Sequence, residues 1–363
     1  MSKLGSLQRI ELKGFRSIRA MDLALKPLNV LIGPNGAGKS NFISFFKFMN
    51  KLQDKDLQLF TQQLGGADRL LHFGRKTTEA LEIDLHFSPN GYRATLVPTQ
   101  DDRLVFKQEF AVFHAEDAGY AGGTKLYALA KPGDAESALP EPGNATAPRF
   151  VARYLADWKV YHFHDTSETA KVKGAYSLHA TDRLMAQGDN LAAFLYGMRE
   201  TEAFTRIVNT IRRVAPFFHG FVFQPEANDL IRLRWKHKGS DDYFDATMLS
   251  DGTLRFICLA TLLLQPQPPT ILLLDEPELG LHPFAMQLLA GMMRSASQAT
   301  QIIASTQSVT LANEFGWDDL VVVDQVGDAS QFRRLQQAEV ALWLDQYRMG
   351  DIWQMNLLGG TPE

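Results

Sequence analysis

Leu28-Asn29-Val30-Leu31-Ile32-Gly33-Pro34-Asn35-Gly36-Ala37-Gly38-Lys39-Ser40 is the stretch that decides the fold. A short apolar run ends in GxxxxGKS, and the pattern from Asn41 predicts a helix through about Lys51. The glycines let backbone N–H groups turn inward around an anion, and the helix N-terminus adds partial positive charge. Lys39 is placed to reach the β- and γ-phosphates of a nucleoside triphosphate, and the Ser40 hydroxyl to ligate Mg²⁺. Gly33 to Asn41 therefore forms the candidate nucleotide-binding segment. A glycine-rich turn without function is the competing reading, and the strand before it and helix after it tell against that.

A second apolar run, Ile271-Leu272-Leu273-Leu274, reads as a buried parallel strand and ends in Asp275-Glu276-Pro277. Ligands bind at the carboxyl ends of strands in open α/β sheets. Adjacent side chains on a strand point to opposite faces, so the two acids can take different work. Asp275 is the candidate Mg²⁺ ligand and Glu276 the candidate general base for an attacking water.

Leu249-Ser250-Asp251-Gly252-Thr253-Leu254-Arg255-Phe256 opens an apolar helix, and Asp275 follows Ser250 by 25 residues. Alone, SDGT is an ordinary helix cap. Glu278-Leu279-Gly280-Leu281-His282-Pro283 follows the acids, and Ser305-Thr306-Gln307-Ser308 follows the strand-like QIIAS.

With the opening IELKGFRSI strand pair, GPNGAGKS, LSDGT, LLLDEPELGLHP and STQS stand in an order that resembles the RecF-like, SMC-related ABC-type ATPases, in particular the AAA-21 type of bacterial ATPase. The resemblance is close over residues 7–51 and 249–324. It implies an α/β P-loop NTPase of ABC/RecF type: a mixed sheet core with an antiparallel β lobe and a helical lid insertion. On that basis residues 1–115 and 249–363 are expected to build the ATPase lobe, and 116–248 the insertion. The resemblance makes Ser250, Asp251, Gly252 and Thr253 a degenerate LSGGQ signature, which serves the nucleotide of a second copy. It also makes 278–283 a D-loop at the dimer interface, and Gln307 the switch residue where related ATPases carry histidine. A glutamine amide donates a hydrogen bond but carries no charge. A glutamine loop is expected somewhere in 52–248.

The remaining sequence narrows the function. Thirty-seven Lys and Arg stand against 41 Asp and Glu, a net charge of −4, which gives a globally basic nucleic-acid binder no support and leaves a local basic face open. The single cysteine, Cys258, lies in an apolar run and reads as a small buried hydrophobe. No run is long enough to span a bilayer and the N-terminus lacks an apolar signal segment, so a cytoplasmic protein is expected.

Residues 117–149 read as a surface excursion, 190–214 as a helix capped by Asp189 or Asn190, and Val340 to Leu358 as a helix with an anchored tail. His162, His164 and Asp165 suggest a metal, but no further ligand has a recognisable spacing, and a strand end packed near the nucleotide lobe is the better reading. The stretch after Asp324 is too short for the nuclease domain of OLD proteins, so nuclease activity is expected only from a partner. The function implied is an ATP-gated homodimer acting with a partner, a nuclease or toxin effector, in DNA repair or phage defence. A catalytically weak scaffold and a transporter subunit are the alternatives. The degenerate signature, Gln307 and the 211 residues between Lys39 and Ser250 argue against the transporter.

Overall fold

The computed structural model describes residues 5–360. The chain opens with the hairpin β1 (Arg9–Phe15) and β2 (Ile18–Ala24), then β3 (Leu28–Ile32), which feeds the glycine-rich loop and α1 (Lys39–Gln53). After α2 (Leu57–Gln63) come β4 (Leu81–Phe87), β5 (Asn90–Pro98), β6 (Leu104–His114) and β7 (Thr124–Ala128). The middle of the chain holds α3 (Thr146–Ala156), β8 (Trp158–Tyr161), β9 (Ala175–Ser177), α4 (Leu191–Gly197) and α5 (Glu202–Val214). Four short strands follow: β10 (Phe218–Val222), β11 (Leu230–Arg232), β12 (Arg234–His237) and β13 (Tyr243–Asp245). The βα winding then runs α6 (Asp251–Leu264), β14 (Ile271–Asp275), α7 (Pro283–Ala296), β15 (Gln301–Thr306), α8 (Val309–Ala312) and β16 (Leu320–Val326). It closes on β17 (Ala329–Arg334), α9 (Gln337–Val340) and α10 (Met349–Gln354).

Two six-stranded sheets organise these elements. One has the order β2-β1-β4-β5-β6-β7 and is antiparallel throughout. The other has the order β17-β16-β3-β15-β14-β8, parallel except for β17. This is the mixed core and antiparallel lobe expected from the sequence. β8 joins the core sheet from within 116–248, so the chain threads through the sheet inside that span.

Strand alternation sorts the core strands' side chains into two interiors. Leu31, Ile271, Leu273, Ile303 and Val321 face α1, α3 and the antiparallel lobe. Val30, Ile32, Leu272, Leu274, Ile302 and Val322 face α4 to α7 and the small strands around Trp235. Both interiors are apolar, which is why these strands read as continuous apolar runs. Cys258 is 2% exposed within the second.

Three local expectations change. Residues 190–214 form two helices, because Thr201 caps a new one by accepting from Phe204 N at 3.2 Å. The 117–149 excursion is pinned to the body: the Glu136 carboxylate accepts from Leu57 N at 2.9 Å and Gln58 N at 3.0 Å, and Leu139 is fully buried. The C-terminal segment is two short helices rather than one. Val340, Ile352 and Trp353 are buried against the core, whereas Leu342 is 85% exposed.

Candidate functional site

The loop after β3 and the acids after β14 stand at the same end of the core sheet. β15 runs between the two strands, with Ser305 level with Asp275 and Thr306 level with Ile32. Gly38 caps α1 at φ 113, and a Cβ there would lie 2.0 Å from Ser330 Oγ, so the turn admits only glycine. Lys39 is 5% exposed and folds back, donating to the Gly33 carbonyl at 2.6 Å and the Pro34 carbonyl at 2.9 Å. Burial pulls its ammonium below the usual lysine value, opposed by the fields of Glu276, Asp275 and Glu278. Asn35, Gly36 and Ser40 are exposed and Ala37 is buried. Asn41 donates to Ser17 Oγ at 2.7 Å, tying α1 to the β1–β2 turn.

Three acids from the end of β14 interleave with three residues at the end of β15. Ser305 Oγ donates to Asp275 Oδ1, and Gln307 Nε2 donates to Glu276 Oε1. Thr306 Oγ1 donates to Glu278 Oε1, which also accepts from Gln307 N at 3.2 Å. Glu276 N donates to the Ser305 carbonyl at 3.0 Å. Glu276 itself has φ 44, a left-handed conformation that strains a side chain with a Cβ. Glu278 is 5% exposed, and burial raises its carboxyl above the usual glutamate value although Thr306 and Gln307 donate to it.

Ser250 caps α6: its hydroxyl accepts from Thr253 N at 3.3 Å and lies 2.8 Å from Thr253 Oγ1. Ser250 and Asp251 are exposed. Gly252 packs so closely that a Cβ would come within 2.4 Å of the Gly280 carbonyl. Among the described residues no hydrogen bond joins 250–253 to 33–41. The geometry thus brings 33–41, the acids and Gln307 together and leaves the 250–253 turn exposed beside 278–280.

The segment leaving β8 flanks Asp275, as a strand end packed near the nucleotide lobe would. His164 Nε2 lies 2.7 Å from the Asp275 carbonyl, and His162 Nε2 is buried with no partner. Burial, then the charge of Lys47, lowers the His162 imidazole to about 4. Among the described residues no group of three or more His, Cys, Asp or Glu is gathered as a metal would need.

The family model AAA_21, described as "AAA domain, putative AbiEii toxin, Type IV TA system", matches residues 28–313. The chain is 34% identical over 110 residues to the OLD nuclease of Thermus scotoductus, covering 30% of this chain and 20% of that protein. It is 28% identical over 127 residues to the DNA replication and repair protein RecF of Lactobacillus johnsonii, covering 32% of this chain and 33% of RecF. It therefore spans about a fifth to a third of the length of these curated relatives. Its fold is similar to an Smc head bound to the C-winged helix domain of ScpA, with a TM-score of 0.61 at 14% identity, over 92% of this chain and 99% of that one. It is also similar to the Smc head with an extended coiled coil bound to the C-terminal domain of ScpA derived from Pyrococcus furiosus, with a TM-score of 0.54 at 13% identity, over 94% and 99%. No helix among the described residues is long and apolar enough to cross a membrane. The RecF- and SMC-like P-loop fold is thus established, and, by a match that spans well over half of its length, the chain belongs to the AAA_21 family.

Proposed function

We propose that the protein is a Mg²⁺-dependent ATPase that ATP closes into a homodimer, and that it works as a switch with a partner protein in DNA repair or anti-phage defence. The observation that carries this reading is the interleaving of Asp275, Glu276 and Glu278 with Ser305, Gln307 and Thr306 beside the buried Lys39. The names of the curated relatives and the toxin in the family description support the pathway and a nuclease or toxin effector as partner. Residues 1–115 and 249–363 build the ATPase lobe together with β7 and β8, and the insertion is the remainder of 116–248.

Phosphate oxygens offer Lys39 better acceptors than the Gly33 and Pro34 carbonyls it holds now. Backbone N–H groups of the loop and the first turn of α1 complete that cradle. Asp275 spends Oδ1 on Ser305 and keeps an oxygen for a cation. With the exposed Ser40 hydroxyl it makes a hard oxygen donor set suited to Mg²⁺, which would neutralise charge on the phosphates. Glu276 accepts the proton of the attacking water. Gln307 turns its amide from Glu276 to the γ-phosphate, and Ser250 to Thr253 of a second copy close the site from outside. A catalytically weak scaffold is the second reading, favoured by Gln307, which now occupies the Glu276 carboxylate.

Complementation tests the composite site. Lys39→Ala and Ser250→Arg should each be inactive in phosphate release. Mixed at equal concentration they form dimers with one intact site, so random pairing caps recovery at about a quarter of wild-type activity, the value for sites that fire independently. Full activity of Ser250→Arg alone, or no recovery on mixing, contradicts the reading.

A further inference from the structure

Arg255 lies one turn into α6 and binds two segments that carry the acids. Its Nη1 donates to the Leu279 carbonyl at 2.9 Å and its Nη2 to the His164 carbonyl at 2.8 Å. Each acceptor is one step from an acid. His164 Nε2 lies 2.7 Å from the Asp275 carbonyl, and Leu279 N donates to the Glu276 carbonyl at 3.2 Å. The approach is tight. A Cβ on Gly280 would sit 3.0 Å from Arg255 Nη1, and one on Gly252 would sit 2.4 Å from the Gly280 carbonyl. Arg255, His164, Asp275, Glu276 and Leu279 line one small cavity. A guanidinium is always charged and presents its donors in a rigid planar fork, so it fixes two carbonyls in one geometry, which an ammonium cannot do.

We infer that Arg255 is a positioning residue that couples the two composite sites of the dimer. This rests on the dimer reading above. There, the α6 N-terminus of one chain closes on the triphosphate held by the other. A shift of α6 on engagement moves Arg255, and Arg255 moves the His164 and Leu279 segments of its own chain. Occupancy of one site is thereby felt at Asp275 and Glu276 of the other, which is a coupling between distinct sites through identified contacts. Both terminal nitrogens of the guanidinium are engaged by backbone carbonyls, so the side chain acts through those two segments.

The test is ATP hydrolysis rate against ATP concentration for the full chain. The wild type should show a Hill coefficient for hydrolysis clearly above that of dimer formation, which light scattering reads over the same ATP range. Arg255→Met, which keeps an unbranched stem and loses the donors, should fall to the coefficient of dimer formation while nucleotide binding by the monomer stays within about twofold. Arg255→Lys should lie between them, and His164→Ala, which cuts only the link to Asp275, should also lower the coefficient. A purely structural role would lower the melting temperature and leave the coefficient alone. If Arg255→Met does not fold, the lysine and His164 variants decide. Unchanged cooperativity in the folded variants overturns the proposal. A wild type that dimerises with ATP yet shows no excess over the coefficient of dimer formation overturns it alone, and one that stays monomeric overturns the dimer reading with it.

Discussion

Gln307 donates its side-chain amide to the carboxylate of Glu276, so the candidate switch residue and the candidate base are in direct contact. The amide has one favourable place to go when a γ-phosphate arrives, since that group offers more charge than half a carboxylate. Gln307→Ala should therefore lower kcat by about tenfold or more, as loss of one transition-state donor does, with a smaller change in KM. A kcat that rises would mean that the amide only masks the base. Steady-state kinetics distinguish the two.

The backbone of Glu276, the proposed base, is strained. A non-glycine residue at φ 44 costs about 1 kcal/mol relative to glycine. Glu276→Gly should abolish turnover and raise the melting temperature measured by circular dichroism. A lower melting temperature would show that the Glu276 side-chain contacts outweigh the strain.

Glu109 gives a pH signature away from the nucleotide site. It is fully buried in the antiparallel lobe, and burial holds its carboxyl above the usual 4.5 although Ser137, Tyr92 and Ala138 N donate to it. Between 4.5 and its raised folded value the native state binds a proton that the unfolded state has lost. This contribution to stability is therefore complete below 4.5 and is lost as pH rises through that window. Denaturant unfolding of Glu109→Gln across pH 4.5 to 8 should show a weaker fall with pH than the wild type. Parallel curves for the two proteins would contradict the assignment.

Local motifs were legible because their chemistry is contiguous. Gly33 to Ser40 and Asp275-Glu276 each carry their strand, turn and ligands within a few residues, and the structure places them at one sheet end. Contacts between distant segments were not legible. Arg255 and His164 are 91 residues apart and meet through a backbone carbonyl, which any residue type supplies. Glu136 pins α2 across 79 residues through backbone N–H groups, so a Pro- and Gly-rich stretch that reads as a free excursion is held down. The pairing of Thr306 with Glu278 was half visible: both residues stand in the motifs, but their contact depends on the register of β14 with β15.

The central claim is that ATP clamps two copies together, and light scattering on Glu276→Gln tests it most directly. That variant keeps the shape of the site and loses the base, so it should bind ATP and stall before release. With saturating ATP and Mg²⁺ its mass should rise from 40.6 kDa for one chain to twice that value, and chelation of the metal should return it to the monomer. A mass that stays at one chain under those conditions would contradict the account.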